Sequence, residues 1–418
     1  MIKMIADGYL GTQTPYVYKK TNFTAAPKGY APFYINHVAR HGARYVTKTA
    51  AIEKVMELLA DAKVKGQITD AGEDLQHKLE MLVPVEHENQ GLLTDYGKQM
   101  EQGIARRTYS RFREVWGKKV VAVCDTVTRT QQTMEAFLTE LGENTDDSRF
   151  ETYMYTNPDP ILRFFDVNED YLSYKEDGKW KVYYDEFKKR KDITVDFLDR
   201  IFYHEFVETI DDKLSVVEAI YGMYCNQFDL NINLGLEEFF TKPELEYLFE
   251  NGNVRQYLLK GPSLIGECLP SNIAFPLMMD FITTSQSAVD NRNISANLRF
   301  AHAETMMPYM TILRLVGLFK QTDDMSEVSK IWNTSQLCPM AANMQWIFYA
   351  SENDDRVLVK ILLNETEMRL PIESVSGPYY DWIELRQYLI DKINCLQLNW
   401  DLGLVQMTQQ YTVNTCYV

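Results

Sequence analysis

Three times along the chain, a short run of strand-like residues gives way across a polar turn to apolar residues at helical spacing. The first run, "FYINHV" at 33–38, is rich in aromatic and β-branched residues and follows turn residues Gly29 and Pro32. After Gly42 comes "TAAIEKVMELLADAK", whose apolar positions recur at helical period from about Ala51 to Leu59. The second unit, at 118–141, pairs the buried-strand run "KKVVAVCD" with the amphipathic "RTQQTMEAFLTEL". The third, at 297–317, reads as strand "NLRFA", turn "HAET" and helix "MMPYMTILRLVGL", with Pro308 tolerable only near the helix start. Repeated strand-to-helix junctions predict an α/β sheet.

Between the second and third units the pattern changes. "VDFLDRIFYHEFVETIDDKL", "SVVEAIYGMYCNQF" and "PELEYLFENGNVRQYLL" carry helical spacing, with Asn251 and Gly252 read as interruptions. Past them, "MQWIFYASEND" and "DRVLVKILLNETEMRLPI" alternate as strands around a polar turn at 352–355. The expected organisation is an α/β domain from 1–145 and 296–418, with a mostly helical insertion at 146–295. A ligand would lie in the cleft between them.

Composition narrows the class. With 418 residues, 45% hydrophobic and 24% charged, the chain is an ordinary globular one. No apolar run reaches the roughly 18 residues of a membrane span. The N-terminal "MIKMIADGYLGTQTPYVYKK" lacks a signal-peptide core, so the chain either stays in the cytoplasm or has lost an export signal. Six cysteines, at 124, 225, 268, 338, 395 and 416, form no CxxC pair, which argues against a zinc ribbon or thioredoxin-type site. A net charge of −16 excludes the basic footprint of a nucleic-acid binder. An anionic ligand therefore needs a local cluster of cations.

"NHVARHGARY" at 36–45 is such a cluster, holding two of the six histidines and two arginines. In open α/β sheets, ligands bind beyond the carboxyl ends of the strands, where helix N-termini offer free N–H groups. The three junctions place Arg40, His41 and Arg44 at the first, Arg129 at the second, and His302 with Glu304 at the third. Three guanidiniums suit the oxygens of a phosphoryl group. Neutral His41 can attack phosphorus, Glu304 can protonate a leaving alkoxide, and His302 can add a donor to the transferring oxygens. Gly42 is the turn expected to admit the phosphate. His37, four residues before His41 on a strand, lies about 13 Å away, too far to share a metal ion, and is expected to support the site through hydrogen bonds.

Other features carry blander readings. His77, His87 and His204 have no partners at useful spacing and are assigned no role. "KKRK" at 188–191, with Arg106 and Arg107, reads as solvated charge. The 18 methionines and 26 tyrosines are packing material. No GxGxxG or P-loop occurs, so no cofactor is expected.

"RHGARY" followed much later by "HAET" resembles the histidine phosphatase superfamily, in its acid-phosphatase and phytase branch, and within it the multiple inositol polyphosphate phosphatases. Many phytases have an aspartate directly after the second histidine. Here Ala303 stands there and the acid follows at Glu304, as in the inositol polyphosphate group. "GLLTDYGKQMEQGIARR" at 91–107, "TVTRTQQTMEAF" around Arg129, "ILRFFD" at 161–166 and "VKILLNETEMRLP" extend the likeness over nearly the whole chain.

The resemblance implies a phosphoglycerate mutase-like α/β sandwich with an inserted helical cap. It also implies metal-independent hydrolysis of phosphomonoesters on inositol, phytate above all, with no cofactor and no protein, nucleic-acid or membrane partner. By carry-over His41 is the nucleophile, Arg40, Arg44, Arg129 and His302 hold the scissile phosphate, and Glu304 is the proton donor. Arg163, with Lys48 a weaker second, is expected to take another phosphate of the substrate. Exported relatives imply a secreted or periplasmic protein. The alternatives are a broad-specificity acid phosphatase and a non-catalytic inositol phosphate binder on the same fold.

Overall fold

A computed structural model describes residues 9–145 and 147–411. Residues 1–8 of the N-terminal stretch and Cys416 lie outside the described residues.

The strand-like segments assemble into one eight-stranded sheet. Its members are β1 (Tyr30–Arg40), β2 (Lys119–Cys124), β3 (Arg149–Met154), β4 (Ile294–Ala301), β5 (Asn343–Ser351), β6 (Leu358–Leu363), β7 (Thr366–Met368) and β8 (Tyr379–Asp381). The spatial order is β3-β2-β4-β1-β5-β6-β7, with β8 also paired to β6. Strands β3, β2, β4 and β1 run parallel, and β5 joins β1 in the antiparallel sense. Register sets Arg40 opposite Ala301 and Cys124 opposite Phe300, so the three strands that precede the cationic residues end level with one another.

The helices used below are α1 (Ala50–Val64), α2 (Asp70–Glu88), α3 (Asp95–Arg111), α4 (Thr128–Asn144), α5 (Lys213–Asp229), α6 (Lys242–Lys260), α7 (Phe275–Asn291), α8 (Ala303–Ile312) and α9 (Trp382–Cys395). Alternate residues of β1 face opposite layers, as the two-residue period of a strand requires. Ile35 and Ala39 join Ile104 of α3 and Phe137 of α4 in one cluster. Tyr34 and Val38 join Phe281 of α7, Met310 of α8 and Leu385 of α9 in another. Helices on both faces bury the central strands, β4 and the second half of β1, while the edge strand β3 stays largely exposed. The result is a three-layer α/β sandwich.

A third cluster stands apart from the sheet. Val55 and Leu59 of α1 and Leu75 and Leu79 of α2 pack with Phe197, Leu198 and Val217 from the long insertion. The first strand-to-helix unit thus sends its helix to the inserted helices rather than back onto the sheet.

The structure corrects several sequence expectations. Residues 149–154, placed in the insertion, form β3 at the sheet edge, and the regular elements from there to β4 are helices. The stretch 195–214 is not one helix but two short ones, Thr194–Leu198 and His204–Val207. Conversely, α6 runs unbroken through Asn251 and Gly252. Asn251 accepts from Arg190 Nη1 at 2.6 Å, and Asn253 donates to the Trp332 carbonyl at 2.8 Å, so these amides bond to neighbouring segments and do not compete with the helix. Helix α8 begins at Ala303, directly after the strand, which puts Pro308 at its sixth residue; Arg314, at φ 57°, ends the helical run early. "VKILLNETEMRLP" is a hairpin, not a single strand. Asn364 and Glu365 make its two-residue turn, both at positive φ, as such turns require.

Candidate active site

Because β4 lies between β1 and β2, the residues beyond the ends of all three strands meet. The His41 N–H donates to the Ala301 carbonyl at 2.9 Å, and the Ala341 N–H donates to the His41 carbonyl at 2.9 Å, which pins the turn after β1 from two sides. His41 Nδ1 lies 2.9 Å from the Gly42 carbonyl. A carbonyl only accepts, so Nδ1 carries the hydrogen and Nε2 keeps its lone pair. The ring is buried, 5.6 Å from that of His302 between centroids. Burial, followed by the positive fields of Arg40, Arg129, His302 and Arg44, holds its pKa well below the ordinary imidazole value. His41 is therefore a neutral base well into the acid range.

The three guanidiniums surround this base. Arg40 is anchored through Nη1 to the carbonyls of Thr12 and of Cys338, the latter at 2.9 Å. Arg44 donates from Nη1 to the Tyr45 carbonyl at 2.8 Å. Arg129 reaches His302 Nδ1 with Nη2 at 3.2 Å; burial and the Arg44 charge lower its pKa to about 10, so it stays charged at any working pH. The buried Nε atoms of Arg40 and Arg129 lack hydrogen-bond partners among the described residues. Such a cluster is poised for an anion.

His302 is oriented by a residue that the sequence reading missed. Its Nε2 is 2.5 Å from Oδ2 of Asp125, which directly follows β2 and is fully buried. Burial alone would raise the Asp125 pKa, but the His302 and Thr130 hydrogen bonds hold it well below the usual range. An ionised Asp125 takes the Nε2 hydrogen and leaves Nδ1 to face Arg129. Burial lowers the His302 pKa and Asp125 opposes that effect. Arg163 joins the same group: its Nη1 is 3.2 Å from His302 Nε2 and 3.3 Å from Asp125 Oδ2, and Nη2 pairs with Asp166.

Glu304 occupies the first turn of α8. It lies deep in the protein yet keeps 40% of its side chain exposed. Lys260, the last residue of α6, places Nζ 2.9 Å from its Oε1. Desolvation opposes ionisation, but Lys260 and then His302 outweigh it and hold the carboxyl well below its ordinary pKa. Lys260 was also missed, since nothing in "RQYLLKGP" links it to a residue 44 positions on. Asp125 had a usable signal: it directly follows a parallel strand, as His41 and His302 do.

One expectation is overturned. Among the described residues His37 makes no supporting hydrogen bond: both ring nitrogens are buried without partners there, and the ring packs against Phe137 at 5.4 Å and Phe300 at 5.6 Å. Burial, then the Arg299 charge, lowers its pKa to about 3, so it is a neutral core residue. Gly42, in the turn expected to admit the phosphate, has a packing role as well. A Cβ there would come within 2.5 Å of the Gly97 carbonyl, and one on Gly97 within 2.1 Å of the Ala43 carbonyl. The glycine pair lets the start of α3 press directly on the turn that carries His41.

The remaining candidates lie apart. Lys48 is exposed on the loop before α1 and makes no hydrogen bond or ion pair among the described residues. His77, His87 and His204 are exposed. Arg106 pairs with Glu140, Arg107 with buried Glu365, and Arg190 with Glu250. Among the described residues, no three His, Cys, Asp or Glu side chains are grouped to hold a metal ion, and no helix is long and apolar enough to cross a membrane.

Fold and site together define a three-layer α/β protein with a histidine and arginine cluster at the ends of its parallel strands. The histidine phosphatase superfamily (branch 2) matches residues 34–364, and the chain belongs to that superfamily. No curated protein sequence matches the chain significantly. Among solved structures, the multiple inositol polyphosphate phosphatase of Bifidobacterium longum, in complex with phosphate, superposes with a TM-score of 0.79 at 21% identity, covering 91% of this chain and 97% of its own. The phytase from D. castellii gives a TM-score of 0.69 at 16% identity, with 98% and 88% covered. The phytase from Citrobacter braakii gives 0.54 at 13% identity, with 87% and 98% covered. At these identities the likeness is one of fold.

Proposed function

We propose that this protein hydrolyses phosphomonoesters of inositol polyphosphates, phytate in particular, through a phosphohistidine on His41. The observation that carries the reading is the buried, neutral His41, with Nδ1–H committed to Gly42 and Nε2 free among three guanidiniums. Nε2 attacks phosphorus while the ester P–O bond breaks, and the departing oxygen takes the proton of Glu304. Water then attacks the phosphorus, the N–P electron pair returns to Nε2, and the Glu304 carboxylate takes the proton of the water. Arg40, Arg44 and Arg129 neutralise the equatorial oxygens throughout, and a protonated His302, held by Asp125 at Nε2, presents Nδ1–H to the same group.

The substrate class rests on two supports. The Bifidobacterium longum enzyme has been crystallised with inositol hexasulfate, a ligand bearing six anionic groups. Arg163 borders an open cavity of about 430 Å³, together with Asn157, Asp159 and Asp166, where a second phosphate of a polyanion can draw the guanidinium from Asp166. Lys48 is a more distant second contact. The inserted helices act as the cap that selects substrate, and α6 already contributes Lys260.

Orthophosphate release from phytate and from glucose 1-phosphate, across about pH 4 to 7, tests the reading. We expect turnover of phytate to exceed that of the monoester, with His41→Ala inactive. Glu304→Gln should still bind phytate but slow the first chemical step, most for poor leaving groups. Equal use of both substrates points to a broad acid phosphatase. Binding of phytate without orthophosphate release makes the protein a non-catalytic binder and ends the enzymatic reading.

A further inference from the structure

The carboxyl assigned to give a proton is ion-paired. Lys260 Nζ sits 2.9 Å from Glu304 Oε1, with the lysine side chain only 12% exposed. Glu304 is its sole hydrogen-bond and ion-pair partner among the described residues, so two of the three ammonium hydrogens have no protein acceptor. We infer that Lys260 is a positioning residue that times the protonation of Glu304: it pairs with the carboxylate while the site is empty and turns to the phosphoryl oxygens when substrate arrives, so that the enzyme binds substrate and one proton together. The inference rests on the reading of Glu304 as proton donor.

The charges around Glu304 explain why the exchange follows binding. Lys260 faces it from α6, His302 from the end of β4, Arg44 from the turn after β1 and Arg129 from α4. Tyr171 and Cys338, from the helix Glu169–Asp177 and the loop before β5, add no positive charge. Lys260, Arg44 and Arg129 thus present fixed positive charge to the carboxyl, which favours the carboxylate. A phosphoryl dianion seated on the guanidiniums reverses that balance, because it offers Lys260 a stronger acceptor and repels a neighbouring carboxylate. Glu304 then takes a proton, from solvent or from a substrate bound as its monoanion. It passes that proton to the leaving oxygen, regains it from the attacking water, and loses it again when orthophosphate departs and Lys260 returns.

Inositol hexasulfate is a suitable probe because its sulfates do not titrate. Calorimetric titration of the full chain at about pH 5.5, in two buffers of different ionisation enthalpy, is expected to show about one proton taken up per ligand. Uptake should vanish in Glu304→Gln and in Lys260→Met, and return in Lys260→Arg. The limb of the kcat/KM profile for phytate that reports Glu304 should move up by about one pH unit in Lys260→Met, with Lys260→Arg near wild type. A lysine needed only for folding would lower activity without moving the limb. If wild type turns over phytate but takes up no proton, or if the Lys260→Met profile overlies that of wild type, this inference falls and the functional reading stands. If wild type neither binds the hexasulfate nor releases orthophosphate, both fall.

Discussion

Asp125 accepts from Val127 N–H at 2.9 Å and from Thr130 Oγ1 at 2.6 Å through Oδ1, which leaves Oδ2 for His302. An amide in its place keeps the shape but can present an N–H to Nε2, which reverses the tautomer of His302 and removes the charge that supports its protonated form. Asp125→Asn is therefore expected to lower kcat on phytate by about 10-fold to 1000-fold, with a smaller change in KM, as for loss of an oriented transition-state donor. Steady-state kinetics check the split, and an unchanged kcat removes Asp125 from the mechanism. Arg40, His41, Arg44, Arg129, His302 and Glu304 were legible because each follows a strand-to-helix switch in period. Lys260 was not, because a single lysine has no spacing of its own: its meaning comes from a partner distant in the chain, whereas Asp125 was marked by its place directly after β2 and was overlooked. His37 shows the converse error, since its nearness to His41 in sequence suggested a shared role, whereas the alternation of β1 turns its ring into the Phe137 and Phe300 layer.

At the scale of elements, the helix following the nucleophile turn in sequence is not the one that braces it. Helix α1 packs with the inserted helices, and α3 supports the turn through Gly97, with Thr94 as the N-cap accepting from the Gly97 N–H at 3.0 Å. Thr94 also binds the turn directly, with N–H and Oγ1 both donating to the Ala43 carbonyl, at 2.9 and 3.1 Å. A methyl group at Gly97 meets backbone on the opposite side, which cannot swing away as a side chain can. Gly97→Ala is expected to destabilise the protein by about 2–3 kcal/mol and to reduce kcat in the folded fraction, because the displaced backbone carries His41. Denaturant unfolding together with active-site titration separates the two effects; wild-type stability and turnover would show that the two segments can part at little cost. The glycines were visible in the sequence, but their contact depends on α3 returning to the turn from 55 residues away, Gly42 to Gly97. Local pattern likewise could not show that α6 passes through Asn251 and Gly252, since the bonds that Asn251 Oδ1 accepts from Arg190 and that Asn253 donates to the Trp332 carbonyl are tertiary.

For the whole molecule, protons stored in the core set the pH range of stability. Glu86 is fully buried beneath the nucleophile turn, accepting from the Val46 N–H at 2.7 Å, and burial raises its pKa from 4.5 to about 7 despite that bond and the Arg44 charge. Burial also holds the Glu101 carboxyl well above its ordinary value. An acid whose folded pKa exceeds its unfolded one binds more protons when folded, so its contribution is complete below about pH 4.5 and declines as pH rises towards 7. His37 acts in the opposite sense: with a folded pKa of about 3 against 6.5, it costs stability as pH falls below the unfolded value. The −16 charge adds repulsion at neutral pH that fades near the pI of 5.0. These effects place maximal stability at mildly acid pH, where His41 is still neutral. Glu86→Gln removes a contribution of about 3 kcal/mol that fades between pH 4.5 and 7, by the pKa difference. Urea unfolding of wild type and variant at pH 5 and pH 7 should show the wild-type decline substantially flattened in the variant. Parallel declines would mean that Glu86 is ionised in the folded protein, and that the acid-side maximum arises from the other buried carboxyls, Glu101, Asp159 and Asp229 among them, and from net charge.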